Sequence, residues 1–105
     1  FACSAQMNPE SGIAVFEPTH GSAPKYADYE VSITNPIAMM ESACMMLDFI
    51  KEDAIAKKIR TAIAEVIKEG KVQTYDMKKM TGRPDVVNNG AASTTEMADA
   101  VIAKL

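Results

Sequence analysis

The sequence predicts an α/β chain, and three observations carry that prediction. A short apolar run at residues 13–17 has strand character and feeds directly into a long polar loop. Three later segments place apolar residues at spacings of three and four, the mark of amphipathic helices. At 105 residues there is room for one domain and a modest core.

Taken in order, residues 1–12 are predicted irregular, with Asn8-Pro9 and Ser11-Gly12 as turn signals. The run at residues 13–17 is mostly apolar, which predicts a strand buried on both faces. Residues 18–34 form a long loop, and loops of that length in compact domains tend to be functional. Asn35 caps a helix whose first position is Pro36. Its apolar stripe is Ile37, Met40, Ala43, Cys44, Leu47 and Ile50. Met39, Met40, Met45 and Met46 lie in this helix and read as core filler.

A second helix, residues 52–69, carries Ile55, Ile59, Ile63, Val66 and Ile67 on one face, and Gly70 closes it. Residues 71–77 are extended or turn, with loops at 81–84 and 88–92. Ser93 and Glu96 form a capping box ahead of a last helix containing Met97, Val101, Ile102 and Leu105. A lone strand leaves both its edges unpaired, so its partners are expected from elsewhere. With the opening at Phe1, this leads to the expectation of a piece of a longer chain.

Composition excludes several classes of function. The net charge is −3 and the cations form no basic block, which argues against a nucleic-acid partner. No uncharged stretch is long enough to span a bilayer, so no membrane partner is expected. Cys3 and Cys44 lack CxxC spacing and read as reduced, small hydrophobes, which fits a cytoplasmic or mitochondrial-matrix setting.

Residues 16–26, FEPTHGSAPKY, carry the chemistry. His20 offers a flat ring that stacks on a base while its nitrogens hydrogen-bond; a loop histidine capping a backbone group is the bland alternative. Gly21 and Ser22 allow close backbone approach, and Pro24 stiffens the loop. Lys25 supplies a point charge for phosphate and Tyr26 a phenol, although a solvated lysine beside a half-buried tyrosine accounts for the pair equally well.

This stretch resembles the cofactor loop of the isocitrate/isopropylmalate dehydrogenase family, the metal-dependent β-decarboxylating dehydrogenases. Phe16, Glu17, His20, Gly21, Ser22, Ala23 and Pro24 follow the family pattern F-E-x-x-H-G-S/T-A-P. Asn35-Pro36 and the helix after it match, Thr74 and Asp76 resemble the family's G-x-x-T-x-D segment, and residues 93–105 its terminal helix. The resemblance covers essentially the whole chain. It implies the C-terminal part of the isopropylmalate-dehydrogenase-like fold: a strand, a cofactor loop and three helices with an incomplete sheet. Residues 1–105 would then be the C-terminal portion of the cofactor-binding domain of a longer subunit.

The resemblance further implies that His20 and Asn35 meet the adenine, that Ser22, with Gly21 and Ala23, lies near the phosphates, and that Glu17 lies toward the nicotinamide ribose. Lys25, Tyr26, Tyr75 and Lys79 correspond to positions that distinguish cofactors. Lys25-Tyr26 lean toward NADP. Lys79 in place of a bidentate arginine weakens that lean, and Asp28 would repel a 2′-phosphate if it pointed inward, so NAD stays open.

The implied reaction is oxidation of a small 2-hydroxy acid followed by loss of a carboxylate, with isocitrate preferred and 3-isopropylmalate next, and a homodimer is implied. It calls for Mg²⁺ or Mn²⁺, an acid/base pair and an arginine cluster. Arg60 and Arg83 are far apart and the acids are scattered, so the metal ligands and catalytic residues are expected outside this chain, which alone should be inactive. A non-catalytic nucleotide-binding regulatory subunit of the same family is the alternative, and a structural helix module with a vestigial loop is a third reading.

Overall fold

The computed structural model describes residues 3–20 and 24–105. Two strands, β1 (Cys3–Met7) and β2 (Ala14–Pro18), pair antiparallel, with Ala5 opposite Phe16 and Met7 opposite Ala14. A single 3₁₀ turn, Pro24–Tyr26, interrupts the loop that follows. Three helices complete the chain: α1 (Ile37–Phe49), α2 (Asp53–Glu69) and α3 (Thr94–Ala103).

The first strand corrects the expectation of an irregular opening and of a lone strand whose partners lie elsewhere. Its sequence, CSAQM, has no β-branched or aromatic residue, and although Cys3, Ala5 and Met7 alternate with Ser4 and Gln6, five residues of small or flexible side chains give only a weak strand signal. The turn creates the strand. The Asn8 side-chain oxygen accepts from Glu10 N at 3.0 Å and Ser11 N at 3.3 Å, and Gly12 takes a left-handed φ of 75°. Asn8 N then donates to Ile13 O at 2.8 Å, closing the hairpin.

The second strand is covered on one side only. Phe16 turns toward α1, where its ring meets Phe49 at 5.6 Å, while Val15 is 55% exposed. Burial on both faces therefore does not hold among the described residues; alternation decides which side chains are covered.

At the start of α1 the Asn35 side-chain oxygen accepts from Ile37 N at 2.9 Å. Pro36, already helical at φ −85° and ψ −1°, stands between this acceptor and Ile37, so the bond spans the start of the helix. The buried residues of α1 are Ile37, Ala38, Ser42 and Cys44, whereas Ala43 and Ile50 are exposed. The helix is covered by α2 on one side and by the hairpin on the other, so a single stripe does not describe it. Met39 and Met46 are exposed, which corrects their reading as core filler. Similarly, α2 buries Ala56, Ala62, Ile63 and Val66 but leaves Ile55 and Ile67 exposed. Gly70 ends it with φ 66°, and Ser93 and Glu96 form the capping box of α3 in both directions.

The core has two parts. Ile37, Ala62, Ile63, Val66, Met97 and Val101 join the three helices. Ile33, Val86 and Ala91 form a second cluster built from loop residues, with Tyr26, Tyr29 and Tyr75 packed on it. This cluster anchors the loop at Tyr26, Tyr29 and Ile33. Among the described residues, no helix is long and apolar enough to cross a membrane.

Candidate functional site: a cleft between the loop and the first helix

Where the long loop meets the start of α1, a cleft of about 620 Å³ opens. Four of the residues singled out by sequence, His20, Tyr26, Asn35 and Tyr75, line it together. Ile33, Pro36 and Met39 supply apolar wall, and Ser32, Thr34, Asp76 and Thr94 supply polar groups. A cavity of mainly apolar wall with a few convergent polar groups is the ordinary form of a small-molecule site.

The polar groups are held in place by one another. Asn35 Nδ2 donates to Asp76 Oδ2 at 3.1 Å, and the Thr74 hydroxyl donates to the other carboxylate oxygen. The Asn35 amide is thus committed at both ends, to Ile37 N and to Asp76. Across the cleft floor, Thr94 Oγ1 donates to Thr34 O at 2.5 Å and Thr94 N to Ser32 O at 2.9 Å, which ties the N-terminus of α3 to the end of the loop.

The tyrosines form a packed wall. The Tyr26 ring lies 5.4 Å from Tyr29 and 6.1 Å from Tyr75, the latter edge-on. Burial, then the hydrogen bond with Tyr26, pushes the Tyr75 phenol up to about 12, so it is neutral at physiological pH. A neutral phenol does not repel an anionic ligand.

The remaining sequence candidates stand elsewhere. Lys25 holds its Nζ 5.0 Å from the Tyr26 ring centroid and reaches the site only through that tyrosine. Glu17 is exposed on β2 opposite Ser4, and Lys79 sits in a turn with φ 58°; neither is among the described residues lining the cleft. Gly21, Ser22 and Ala23 lie outside the described residues. Asp76, Thr34, Thr94 and Met39 were not singled out for the site. Met39 was legible in part, because it lies on the first turn after Asn35-Pro36.

Among the described residues no group of three or more His, Cys, Asp or Glu could hold a metal ion. Arg60 is engaged between helices, 2.8 Å from Asp48 and 3.5 Å from Glu41, and Arg83 borders a separate, smaller pocket of about 300 Å³.

Comparison with known proteins agrees with the residue pattern. The family model described as isocitrate/isopropylmalate dehydrogenase matches residues 1–101. An NADP isocitrate dehydrogenase of Thermus thermophilus is 41% identical over all of this chain, which covers 19% of that protein. A 3-isopropylmalate dehydrogenase of Pseudoalteromonas translucida is 35% identical over 97% of the chain and 25% of that protein. The solved structure of the TT0538 protein from Thermus thermophilus superposes with a TM-score of 0.82 at 39% identity, over all of this chain and 19% of that one. The chain thus spans about a fifth to a quarter of the length of these relatives.

Proposed function

Because the chain belongs to the isocitrate/isopropylmalate dehydrogenase family, we propose that its cleft holds the adenine end of NAD or NADP. In this reading, residues 1–105 are the C-terminal portion of the cofactor-binding domain of a longer subunit. The observation that carries it is the convergence of His20, Asn35, Tyr26 and Tyr75 on one cleft, although the sequence separates them by up to 55 positions (75 − 20).

Each residue has a distinct task. His20 offers its ring to the base, and Asn35, fixed by Asp76, offers a rigid polar edge. Tyr26 and Tyr75 present an aromatic wall, the Tyr75 phenol neutral, beside which Lys25 places a positive charge. That charge favours NADP over NAD. When bound, the nicotinamide supplies a hydride acceptor for a 2-hydroxy acid, with isocitrate preferred and 3-isopropylmalate next. The substrate arginines, the acid/base pair and the ligands of Mg²⁺ or Mn²⁺ belong to the rest of the subunit, and the described residues alone are inactive.

Calorimetric titration of the full-length subunit with NAD⁺ and NADP⁺ tests the assignment. His20→Ala is expected to weaken both cofactors about tenfold, the loss of roughly one good contact. Lys25→Ala should weaken NADP⁺ more than NAD⁺. Unchanged affinity for both cofactors in both variants would rule the site out. Cofactor binding without turnover of either acid would assign the subunit to the regulatory class instead.

A further inference from the structure

We propose that the absent side chain of Gly82 sets where the Tyr26 ring stands in the cleft, making Gly82 a positioning residue of the site. The inference rests on the nucleotide reading above. A Cβ at Gly82 would lie 2.8 Å from Tyr26 Cζ and 3.1 Å from Cε1, and closer still to the phenol oxygen. Contacts under 3.0 Å are not sustained, so the ring or the 81–84 loop would have to move.

Backbone conformation does not explain the glycine. Gly12, Gly70 and Gly90 have left-handed φ angles, and Gly82 does not. What Gly82 provides is space.

The Tyr26 ring has little freedom to step aside. Tyr29 packs against it at 5.4 Å and Tyr75 meets it edge-on at 6.1 Å, and all three tyrosines sit on the cluster of Ile33, Val86 and Ala91. Displacement therefore moves the ring into the cleft or carries Tyr75 with it, and both tyrosines line the same cleft. Either movement alters the wall that the nucleotide meets. Gly82 itself does not line the cleft, so its effect on affinity must pass through Tyr26.

The test is a double-mutant cycle in the full-length subunit: Gly82→Ala, Tyr26→Ala and the pair, each titrated with NAD⁺ and NADP⁺ and followed through thermal unfolding. Gly82→Ala should weaken cofactor binding about fivefold or more, and should add nothing once Tyr26 is alanine. A glycine with a purely structural role would lower the melting temperature in both backgrounds and leave affinity alone. Wild-type affinity in Gly82→Ala, or an equal loss with and without Tyr26, overturns the proposal. If Gly82→Ala alone does not fold, recovery of a folded protein in the pair supports the clash, and failure of both overturns it. His20→Ala separates the two levels. Loss of affinity there but not in Gly82→Ala sinks the role of Gly82 and leaves the nucleotide site standing, whereas intact affinity in His20→Ala and Lys25→Ala sinks the site itself.

Discussion

Asn35 Nδ2 donates to Asp76 Oδ2 at 3.1 Å, joining residues 41 positions apart at the edge of the cleft. The same Asn35 side chain caps α1 through Ile37 N. One amide therefore starts a helix and presents a fixed polar edge to a ligand.

That double role can be separated by mutation. Asn35→Ala removes both bonds and should cost about 1–2 kcal/mol of stability as well as cofactor affinity. Asp76→Asn leaves the cap intact and still offers an oxygen to the buried Thr74 hydroxyl, so it should lose affinity with a smaller change in stability. Urea unfolding and cofactor titration of the two variants together check this, and equal loss of stability in both would show that the cap contributes little.

Ile37 is fully buried against Met97 and the α2 residues Ala62, Ile63 and Val66. Ile37→Ala should destabilise by about 2–5 kcal/mol, read as a lower denaturant midpoint with an unchanged slope. A loss below 1 kcal/mol, on the scale of about 2–5 expected for such a cavity, would mean that the site collapses around the smaller residue.

The capping box at α3 accepts Glu96 N on Ser93 Oγ and Ser93 N on Glu96 Oε1, each at 3.1 Å. Ser93→Ala should cost about 1 kcal/mol. Glu96→Gln should cost less, since glutamine makes the same reciprocal bond. Unfolding midpoints of the two variants give the comparison.

Tyr75 provides a pH signature. Its phenol is raised from 10.0 to about 12, so the folded state holds that proton more tightly than the unfolded state does. The associated stability is complete below pH 10 and is lost as pH rises from 10 to about 12. Phenolate absorbance should show one of the three tyrosines titrating late, and Tyr26→Phe should bring that titration down. A Tyr75 phenol titrating at its ordinary value of 10.0 would contradict the packed wall.

Where a local signal exists, the sequence reading and the fold agree. The Ser93 and Glu96 box, Gly70 and the Asn35 cap each act within a few residues, and each is formed. The failures have a common cause. Strand β1 alternates but has no β-branched or aromatic residue, and its pairing depends on the turn that folds it onto β2. The exposed Ile50 and Ile55 follow apolar spacing, but that spacing cannot tell how many neighbours cover a helix.

The sequence by itself determined the three helices, their caps and the loop chemistry that resembles a dehydrogenase cofactor loop, because these depend on residues close together in the chain. The tertiary structure decided which of the candidates meet. His20, Tyr26, Asn35 and Tyr75 share a cleft, while Glu17 and Lys79 stand apart from it. It also brought in Asp76 and set Gly82 against Tyr26. The reason is physical: contacts between distant segments depend on how the loop packs over Ile33, Val86 and Ala91, and no local pattern encodes that packing.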